Sequence, residues 1–170
     1  MSHLTLELDW GIAMMVLCYG GGTNTTAMIL GLIDRNIKPD LIIMADTGGE
    51  RPHTYAHVEL MQRFLESINF PKITIVKKVD KNGDVLTLED NLLQQKALPS
   101  IAYGWKTCSQ KYKIQPVDKF LNNHPEAIAC WRRGEKITKL IGYDADEPDR
   151  SGDFDCKKYK VEFPLIEDRK

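Results

Sequence analysis

The residues most able to do chemistry are three consecutive glycines, Gly20, Gly21 and Gly22, which follow a short apolar run. A segment with helical spacing of apolar residues begins directly after them, near Asn24. Glycine lets the backbone approach a ligand closely, and a helix N-terminus offers unpaired N–H groups at the positive end of the helix dipole. A strand that ends at glycines and continues as a helix therefore predicts a site for phosphate, sulfate or pyrophosphate.

A plainer interpretation is a glycine turn that only reverses the chain. The pattern is not a Walker A loop, because no Gly-Lys-Ser/Thr follows, and it does not keep the G-x-G-x-x-G spacing. Asn24, Thr25 or Thr26 is expected to cap the helix, since each has a side-chain oxygen that can accept from a backbone N–H. Thr25 would offer its hydroxyl and N–H to a bound phosphate, or would serve as a helix cap alone.

Acidic residues follow two further apolar runs. Asp46 comes directly after the second run, and is expected to hold a ribose hydroxyl or a magnesium-bound water, or else to cap its own loop. Asp144, Asp146 and Glu147 follow a later run. These three carboxylates could bind magnesium, which prefers a few carboxylates together with waters and ligand phosphate; the alternative is a solvated acidic turn.

Three cations are candidates for contact with an anionic ligand: Arg51, Lys113 and Arg150. Arg150 could contact a phosphate through two parallel hydrogen bonds, or could pair with the carboxylates beside it. For Lys113 the alternative is a solvated charge, which is the usual state of lysine.

Thiol, aromatic and imidazole side chains give weaker signals. Cys108 would be reactive if positive neighbours favoured its thiolate form, and three lysines lie near it in sequence. Tyr103 and Trp105 could stack on an adenine ring, or could pack in the core. His53 and His57 have the i, i+4 spacing of some metal sites but lack the Glu of H-E-x-x-H, so we interpret them as helix surface or rim.

Composition limits the classes of function. The 170 residues carry a net charge of −1, which gives no general electrostatic attraction to nucleic acid. The four cysteines are scattered without a C-x-x-C pair, so we expect free thiols in a cytoplasmic protein and neither zinc nor an iron–sulfur cluster. The apolar runs are too short for a membrane span, and no signal peptide is recognised. One domain is expected over residues 1–170, with 1–11 as a lead-in and 151–170 as a short C-terminal extension.

The elements that must position these residues alternate along the chain. Strands are predicted at the runs 14–18, 41–45, 73–76, 136–143 and 159–163. Helices are predicted at 24–35, 53–67, 88–95 and 113–123. This alternation is typical of a single three-layer α/β domain with a mainly parallel sheet of about five strands. In such a sheet ligands bind at the carboxyl ends of the strands, which is where the candidate residues are placed.

Four segments, taken in order, resemble one family. The stretch Tyr19-Gly20-Gly21-Gly22-Thr23-Asn24-Thr25 is similar to the S-G-G-x-D-S pyrophosphate loop (PP-loop) of the adenine nucleotide alpha-hydrolase-like superfamily. The stretch Asp46-Thr47-Gly48, followed by Pro52-x-Thr54-Tyr55, resembles the D-T-G…P-x-T-Y stretch of the phosphoadenosine phosphosulfate (PAPS) reductase branch. Cys108, Lys113 and Pro116 resemble that branch's C…K-x-x-P segment. The stretch Leu140-Ile141-Gly142…Glu147…Arg150 resembles its late G-x-R…R stretch.

The resemblance implies an adenine-nucleotide-binding, PAPS reductase-like protein of the kind carried by phages, acting in the host cytoplasm. It implies ATP, PAPS or a related nucleotide as ligand, magnesium as a candidate cofactor, and Cys108 and Lys113 as candidate catalytic residues. The nucleotide-binding residues that it implies are Tyr19, Gly20, Gly21, Gly22, Thr23, Asn24, Thr25, Asp46, Thr47, Gly48, Lys113, Gly142 and Arg150.

Departures from the family pattern bear on the reaction. Gly20 and Asn24 stand where the loop usually has Ser and Asp, and Tyr143 and Asp144 stand where reductases have their first late Arg. The C-terminal residues contain no Glu-Cys-Gly-type nucleophile, and Cys108 lacks a paired cysteine, so we expect weak or absent PAPS reduction.

Two hypotheses therefore stay open. The protein is either an enzyme, sulfonucleotide reductase-like (an oxidoreductase) or ATP pyrophosphatase-like, or a non-catalytic protein that sequesters or senses a nucleotide or serves as a subunit of a larger complex. The acidic loop favours ATP over PAPS, and the oligomeric state is open, with a homodimer compatible with either hypothesis.

Overall fold

Five parallel strands form a sheet whose spatial order differs from the order in the chain. The computed structural model describes residues 13–96, 109–144, 146 and 154–167. The strands are β1 (Met15–Cys18), β2 (Leu41–Asp46), β3 (Ile73–Lys77), β4 (Ile137–Ile141) and β5 (Tyr159–Glu162). They are arranged β3-β2-β1-β4-β5, so β1 lies at the centre between β2 and β4.

Helices cover both faces of the sheet. The described helices are α1 (Thr23–Asp34), α2 (Pro52–Ser67), α3 (Leu88–Gln95), α4 (Gln115–Asn122), α5 (Pro125–Arg132) and α6 (Pro164–Glu167), and a π-helical turn at Gln110–Ile114 leads into α4. Buried residues of α1 and α2 pack with Leu17 and Ile42, whereas those of α4 and α5 pack with Val16 and Ile43. Because neighbouring residues of a strand point to opposite faces, the two apolar clusters lie on opposite sides of the sheet. The expected three-layer α/β domain with a mainly parallel sheet is therefore confirmed.

The switch point of the sheet lies between β1 and β4. The connection from β1 to β2 uses the face covered by α1, while α4 and α5, which precede β4 in the chain, cover the other face. The two strands pair in parallel, with Cys18 opposite Ile141. Segments leaving their carboxyl ends diverge there, and such an opening is the usual ligand position in α/β sheets.

Two helices begin within one residue of their predicted starts. The helix α3 occupies the predicted segment, and Thr87 caps it by accepting a hydrogen bond from the Asp90 N–H at 3.0 Å. Pro52 is the first residue of α2, a position where the missing N–H of proline costs no intrahelical hydrogen bond.

The expected cap of α1 is wrong. The helix begins at Thr23 and its N-cap is Gly22, so Asn24, Thr25 and Thr26 all lie inside it. The reason is that Gly22 is the last extended residue (φ −102°, ψ 177°), and its carbonyl accepts the Thr26 N–H at 3.1 Å as the first helical bond.

The predicted helix at 113–123 is also revised. It consists of the π-helical turn, which ends at Ile114, followed by α4. Pro125 opens α5 directly after it, and Pro164 opens α6 in the same way. In a sequence, a proline at the first position of a helix looks the same as a proline that ends the preceding helix. Neither of these short helices was therefore predicted.

The two predicted terminal segments differ in how far the structure describes them. The lead-in predicted for residues 1–11 is outside the described residues, whereas residues 154–167 contribute β5 and α6. Among the described helices, none combines the length and apolar character that crossing a membrane requires.

Candidate functional site

The glycine loop, residues 20–22, joins β1 to α1 and packs against α2. Gly21 is buried and has a φ of +70°, a conformation that favours glycine. A Cβ at this position would lie 2.8 Å from Thr54 Cγ2 and 3.4 Å from Val58 Cγ2, both on α2. The loop backbone thus rests directly on α2, and a substitution at Gly21 cannot separate ligand binding from folding.

Gly22 faces open space at the start of α1. It is exposed, and a Cβ added to it would meet none of the described atoms within 4 Å. Because this N-cap residue has no side chain, it supplies no oxygen to the first-turn N–H groups of the helix, which also lack intrahelical partners. Those N–H groups and the helix dipole favour an anion at this point.

The Thr25 hydroxyl braces the loop from inside. It accepts a hydrogen bond from the Gly20 N–H at 3.2 Å and donates one to the Gly22 carbonyl at 3.2 Å. The hydroxyl that the sequence assigned to a phosphate therefore also holds the two ends of the glycine loop together.

Gly142, the first residue after β4, contacts the start of α1. A Cβ on Gly142 would lie 3.0 Å from Thr25 Cγ2 and 3.1 Å from Thr25 Cα, which is tighter than ordinary packing allows. A residue without a side chain permits this approach. Two of the four family-like motifs, the glycine loop and the segment at Gly142, therefore meet at the switch point.

Asp46, the last residue of β2, is held by three donors. Its Oδ1 accepts hydrogen bonds from the Gly48 N–H and the Tyr55 hydroxyl, each at 2.8 Å, and Lys77 Nζ lies 3.1 Å from Oδ2. Burial raises the pKa of Asp46, but the hydrogen bonds and the Lys77 charge outweigh it, so the pKa lies below its ordinary value. These contacts are those of the loop-capping alternative.

We expect Asp46→Asn to lower the free energy of unfolding by about 2 kcal/mol near neutral pH, because it removes the charge of a buried, hydrogen-bonded carboxylate that pairs with half-exposed Lys77. Since the folded pKa is lowered, the contribution of the carboxylate is fully present above the ordinary value of 3.8 and is lost as the pH falls through the folded pKa. The difference between wild type and variant should therefore shrink in acid.

Urea unfolding of both proteins near pH 7 and at about pH 3 measures this difference. Asp34→Asn, at an exposed position of α1, is the matched control and should show no comparable loss. A difference between wild type and Asp46→Asn that stays constant with pH would contradict the assignment.

Thr47 and Gly48 tie the loop after β2 to α3. Thr47 is buried, and its carbonyl accepts the Leu88 N–H at 2.8 Å. Gly48 has a φ of +74°, and a Cβ on it would lie 2.6 Å from Thr87 Cγ2. The D-T-G segment is therefore shaped by packing against the first turn of α3.

Lys113 lies at the loop after β2. Its ammonium is 3.5 Å from Glu50 Oε1, and half of its side chain is exposed. Glu50 in turn accepts a 3.4 Å hydrogen bond from the Thr47 hydroxyl. The π-helical turn buries Tyr112 and leaves the adjacent Lys113 exposed. Because β2 and β4 flank β1, Lys113 and Gly142 lie on opposite sides of the glycine loop.

The segment after Gly142 is aromatic and acidic. Tyr143 stacks on Phe163 with 5.4 Å between ring centroids, and Phe154 packs edge-on against Phe163 at 6.2 Å. The Asp146 N–H donates to Asp144 Oδ1 at 3.1 Å. Tyr143, which stands where reductases have an arginine, therefore anchors the end of β4 to the segment after β5.

The fit of magnesium depends on Asp144 and Asp146. Two carboxylates, with waters and ligand phosphate, match the usual ligand set of this ion. Over the ranges that the structure describes, no group of three or more His, Cys, Asp or Glu side chains is arranged for a metal. Glu147, the third predicted ligand, lies outside those ranges.

Several predicted residues lie outside the described part of the chain. They are Cys108, Glu147 and Arg150 together with Tyr103 and Trp105. Their predicted roles as nucleophile, metal ligand, anion contact and adenine contacts stay predictions.

Sequence reasoning missed two polar residues beside the site. Lys77 lies opposite Asp46 in the pairing of β3 with β2, so a correct strand register would have found that ion pair. His57 was interpreted as surface or rim, but its Nε2 lies 3.0 Å from the Thr26 hydroxyl in the first turn of α1. The spacing of His53 and His57, four residues apart on α2, was the feature of the sequence that could have drawn attention to His57.

The comparisons with known proteins add no identity. No protein-family model and no curated protein sequence matches this chain. The resemblance to PAPS reductases therefore rests on the four motifs alone, and the geometry around the glycine loop carries the functional argument.

A cleft of about 430 Å³ opens at the opposite, amino-terminal edge of the sheet. Its charged lining residues are Lys38, Asp40, Glu126 and Arg133. Since these residues precede β2 or β4 or lie on α5, the cleft is separate from the glycine loop.

Proposed function

We propose that the protein binds the phosphate chain of an adenine nucleotide at the glycine loop, with ATP or a related nucleotide preferred over PAPS. The observation that carries the proposal is the N-terminus of α1, whose N-cap Gly22 is exposed and whose Thr25 contacts Gly142 at the switch point of the sheet. Backbone N–H groups at such a helix start are suited to a phosphate. The PP-loop resemblance supplies the adenine nucleotide as ligand class.

Charges on either side of the loop support a polyphosphate. Lys113 lies on the β2 side and offers a half-exposed ammonium. Asp144 and Asp146 lie on the β4 side and would repel a bare phosphosulfate. The same two carboxylates would hold magnesium, which, when bound, neutralises phosphate charge and reverses that preference.

A non-catalytic nucleotide-binding protein is the second candidate. It is favoured by the contacts of Asp46, whose carboxylate accepts hydrogen bonds from Gly48 and Tyr55 and pairs with Lys77. These contacts use the carboxylate within the protein. The substitution of Tyr143 for a family arginine, and its packing on Phe163, point the same way.

Thermal unfolding with added ligand tests the proposal. ATP, AMP, PAPS and inorganic tripolyphosphate are each added with and without magnesium, since a ligand that binds the native state raises Tm by mass action. We expect the largest rise with ATP and magnesium. A rise with PAPS alone, or no rise with any of the four, would overturn the proposal.

Lys113→Ala is expected to weaken ATP binding by about 1.5–3 kcal/mol, roughly 10- to 150-fold, because a charge-assisted contact is lost. Lys111→Ala, two residues earlier on the same π-helical turn and also exposed, is the matched control and should leave affinity unchanged. Titration calorimetry measures both. Equal affinities for Lys113→Ala and wild type would remove this lysine from the binding site.

A further inference from the structure

A partly buried hydroxyl network lies beside the glycine loop. The Thr26 hydroxyl, in the first turn of α1, donates a hydrogen bond to the Gly22 carbonyl at 2.9 Å. The same oxygen lies 3.2 Å from the Tyr19 hydroxyl and 3.0 Å from His57 Nε2. One threonine thus connects the end of β1, the glycine loop and α2.

A proton count gives an arrangement that satisfies all three contacts of the Thr26 hydroxyl at once. A threonine hydroxyl has one proton and two lone pairs, and its proton is used toward Gly22. Its lone pairs therefore accept from Tyr19 and His57, which requires a proton on His57 Nε2. Tyr19 is 3% exposed, and burial raises the pKa of its phenol, so it remains a donor.

The Gly22 carbonyl is the target of this network. It accepts from the Thr26 N–H at 3.1 Å, the Thr26 hydroxyl at 2.9 Å and the Thr25 hydroxyl at 3.2 Å. In a planar trans peptide the carbonyl of Gly22 and the N–H of Thr23 point in opposite directions. A carbonyl held toward the helix therefore keeps the Thr23 N–H directed out of the helix start, where an anion would lie.

We propose that His57 is a positioning residue of the glycine loop, which through Thr26 holds the Gly22 peptide in its anion-binding orientation before any ligand arrives. A reversed Gly22 peptide would present a carbonyl oxygen to the anion and repel it. Holding the loop in advance removes an ordering cost from binding. The anionic ligand in this proposal is taken from the proposed function. The geometry is taken from the contacts among His57, Thr26 and Gly22.

The packing of α2 supports this role. Thr54 and Val58, on either side of His57 along α2, border the position of Gly21 at 2.8 Å and 3.4 Å from a Cβ placed there. The helix that carries His57 is therefore fixed against the loop, so the imidazole can transmit position to Thr26. His53, one turn earlier on the same helix, is exposed.

The test compares His57→Leu, His57→Gln and the matched control His53→Leu. In the ligand-free protein, exchange of the Thr26 amide reports how firmly the Gly22 carbonyl is held. We expect exchange about fivefold faster in His57→Leu, and close to wild type in His57→Gln, whose amide can still donate, and in His53→Leu. Nitrogen NMR of wild type should show a proton on His57 Nε2.

Affinity for inorganic tripolyphosphate is the second measurement. It should fall about fivefold in His57→Leu and return in His57→Gln, with melting curves confirming that each variant is folded. Unchanged Thr26 exchange in His57→Leu, or a wild-type His57 without a proton on Nε2, would overturn the positioning role. If wild type binds neither tripolyphosphate nor ATP, the proposed function fails, while the exchange measurement still decides the role of His57.

Discussion

Replacing Gly22 with aspartate should stabilise the protein and at the same time abolish phosphate binding at the glycine loop. Gly22 is the N-cap of α1, its backbone already has the extended conformation of a cap, and a Cβ there meets open space. An aspartate would accept hydrogen bonds from the first-turn N–H groups and place its charge at the positive end of the helix dipole. It would therefore occupy the N–H groups that the proposed ligand needs.

The two effects of Gly22→Asp have opposite signs, which makes the result hard to mistake. We expect a gain of about 0.5–1 kcal/mol in the free energy of unfolding. We expect tripolyphosphate and ATP to bind at least about 30-fold more weakly, equivalent to about 2 kcal/mol. Urea unfolding and titration calorimetry measure the two quantities on the same preparation.

Gly31→Ala is the matched control, because it lies on the same helix and a Cβ there also meets no described atom within 4 Å. Alanine in a helix interior should add about 0.5–1 kcal/mol of stability and leave affinity unchanged. Wild-type affinity in Gly22→Asp would show that the glycines form only a turn. A loss of stability would show that the helix start is not open.

The sheet and the place of the site could be predicted from the sequence. Continuous apolar runs such as 41–45 indicate a strand buried on both faces, and the helical spacing between runs indicates crossovers. Parallel strands place their carboxyl ends at one edge, and the sheet order that the family resemblance implies places β1 beside β4, so the glycine loop and Gly142 were expected close together. The contact of Gly142 with Thr25 agrees with that expectation.

The side-chain partners could not be predicted in the same way. His57 and Thr26 are 31 residues apart, and their contact depends on how α1 and α2 are set against each other. No local periodicity encodes that relation. The same holds for Lys113, whose contact with Glu50 depends on a π-helical turn that places it beside the loop after β2.

The burial of the Lys139 ammonium could not be predicted from the sequence either. Lys139 sits inside a predicted strand and is 8% exposed. It is stabilised by Asp118 of α4 at 2.6 Å and by the Tyr159 ring, whose centroid lies 3.5 Å from the ammonium. A charge buried in this way needs partners from two other elements, and sequence spacing within β4 cannot supply them.

Gly21→Ala is expected to destabilise the protein by about 2–4 kcal/mol, the largest effect of any single change at the loop. One part is the backbone, because an L-residue at a φ of +70° is strained by about 1 kcal/mol. The other part is overpacking, since the new Cβ would lie 2.8 Å from Thr54 Cγ2. Gly20→Ala, whose Cβ would come no closer than 3.9 Å to its neighbours, should cost less than about 0.5 kcal/mol.

A double-mutant cycle with Thr54→Ser separates the two parts of that cost. Serine keeps the hydroxyl and lacks Cγ2, so it removes the 2.8 Å contact and leaves the backbone strain in place. The pair Gly21→Ala and Thr54→Ser should therefore couple favourably by about 1–2 kcal/mol, with roughly 1 kcal/mol of the cost remaining. Urea unfolding of the four proteins measures the coupling. Strict additivity would mean that α2 does not rest on Gly21, and the mechanical link from α2 to the glycine loop would then fail with it.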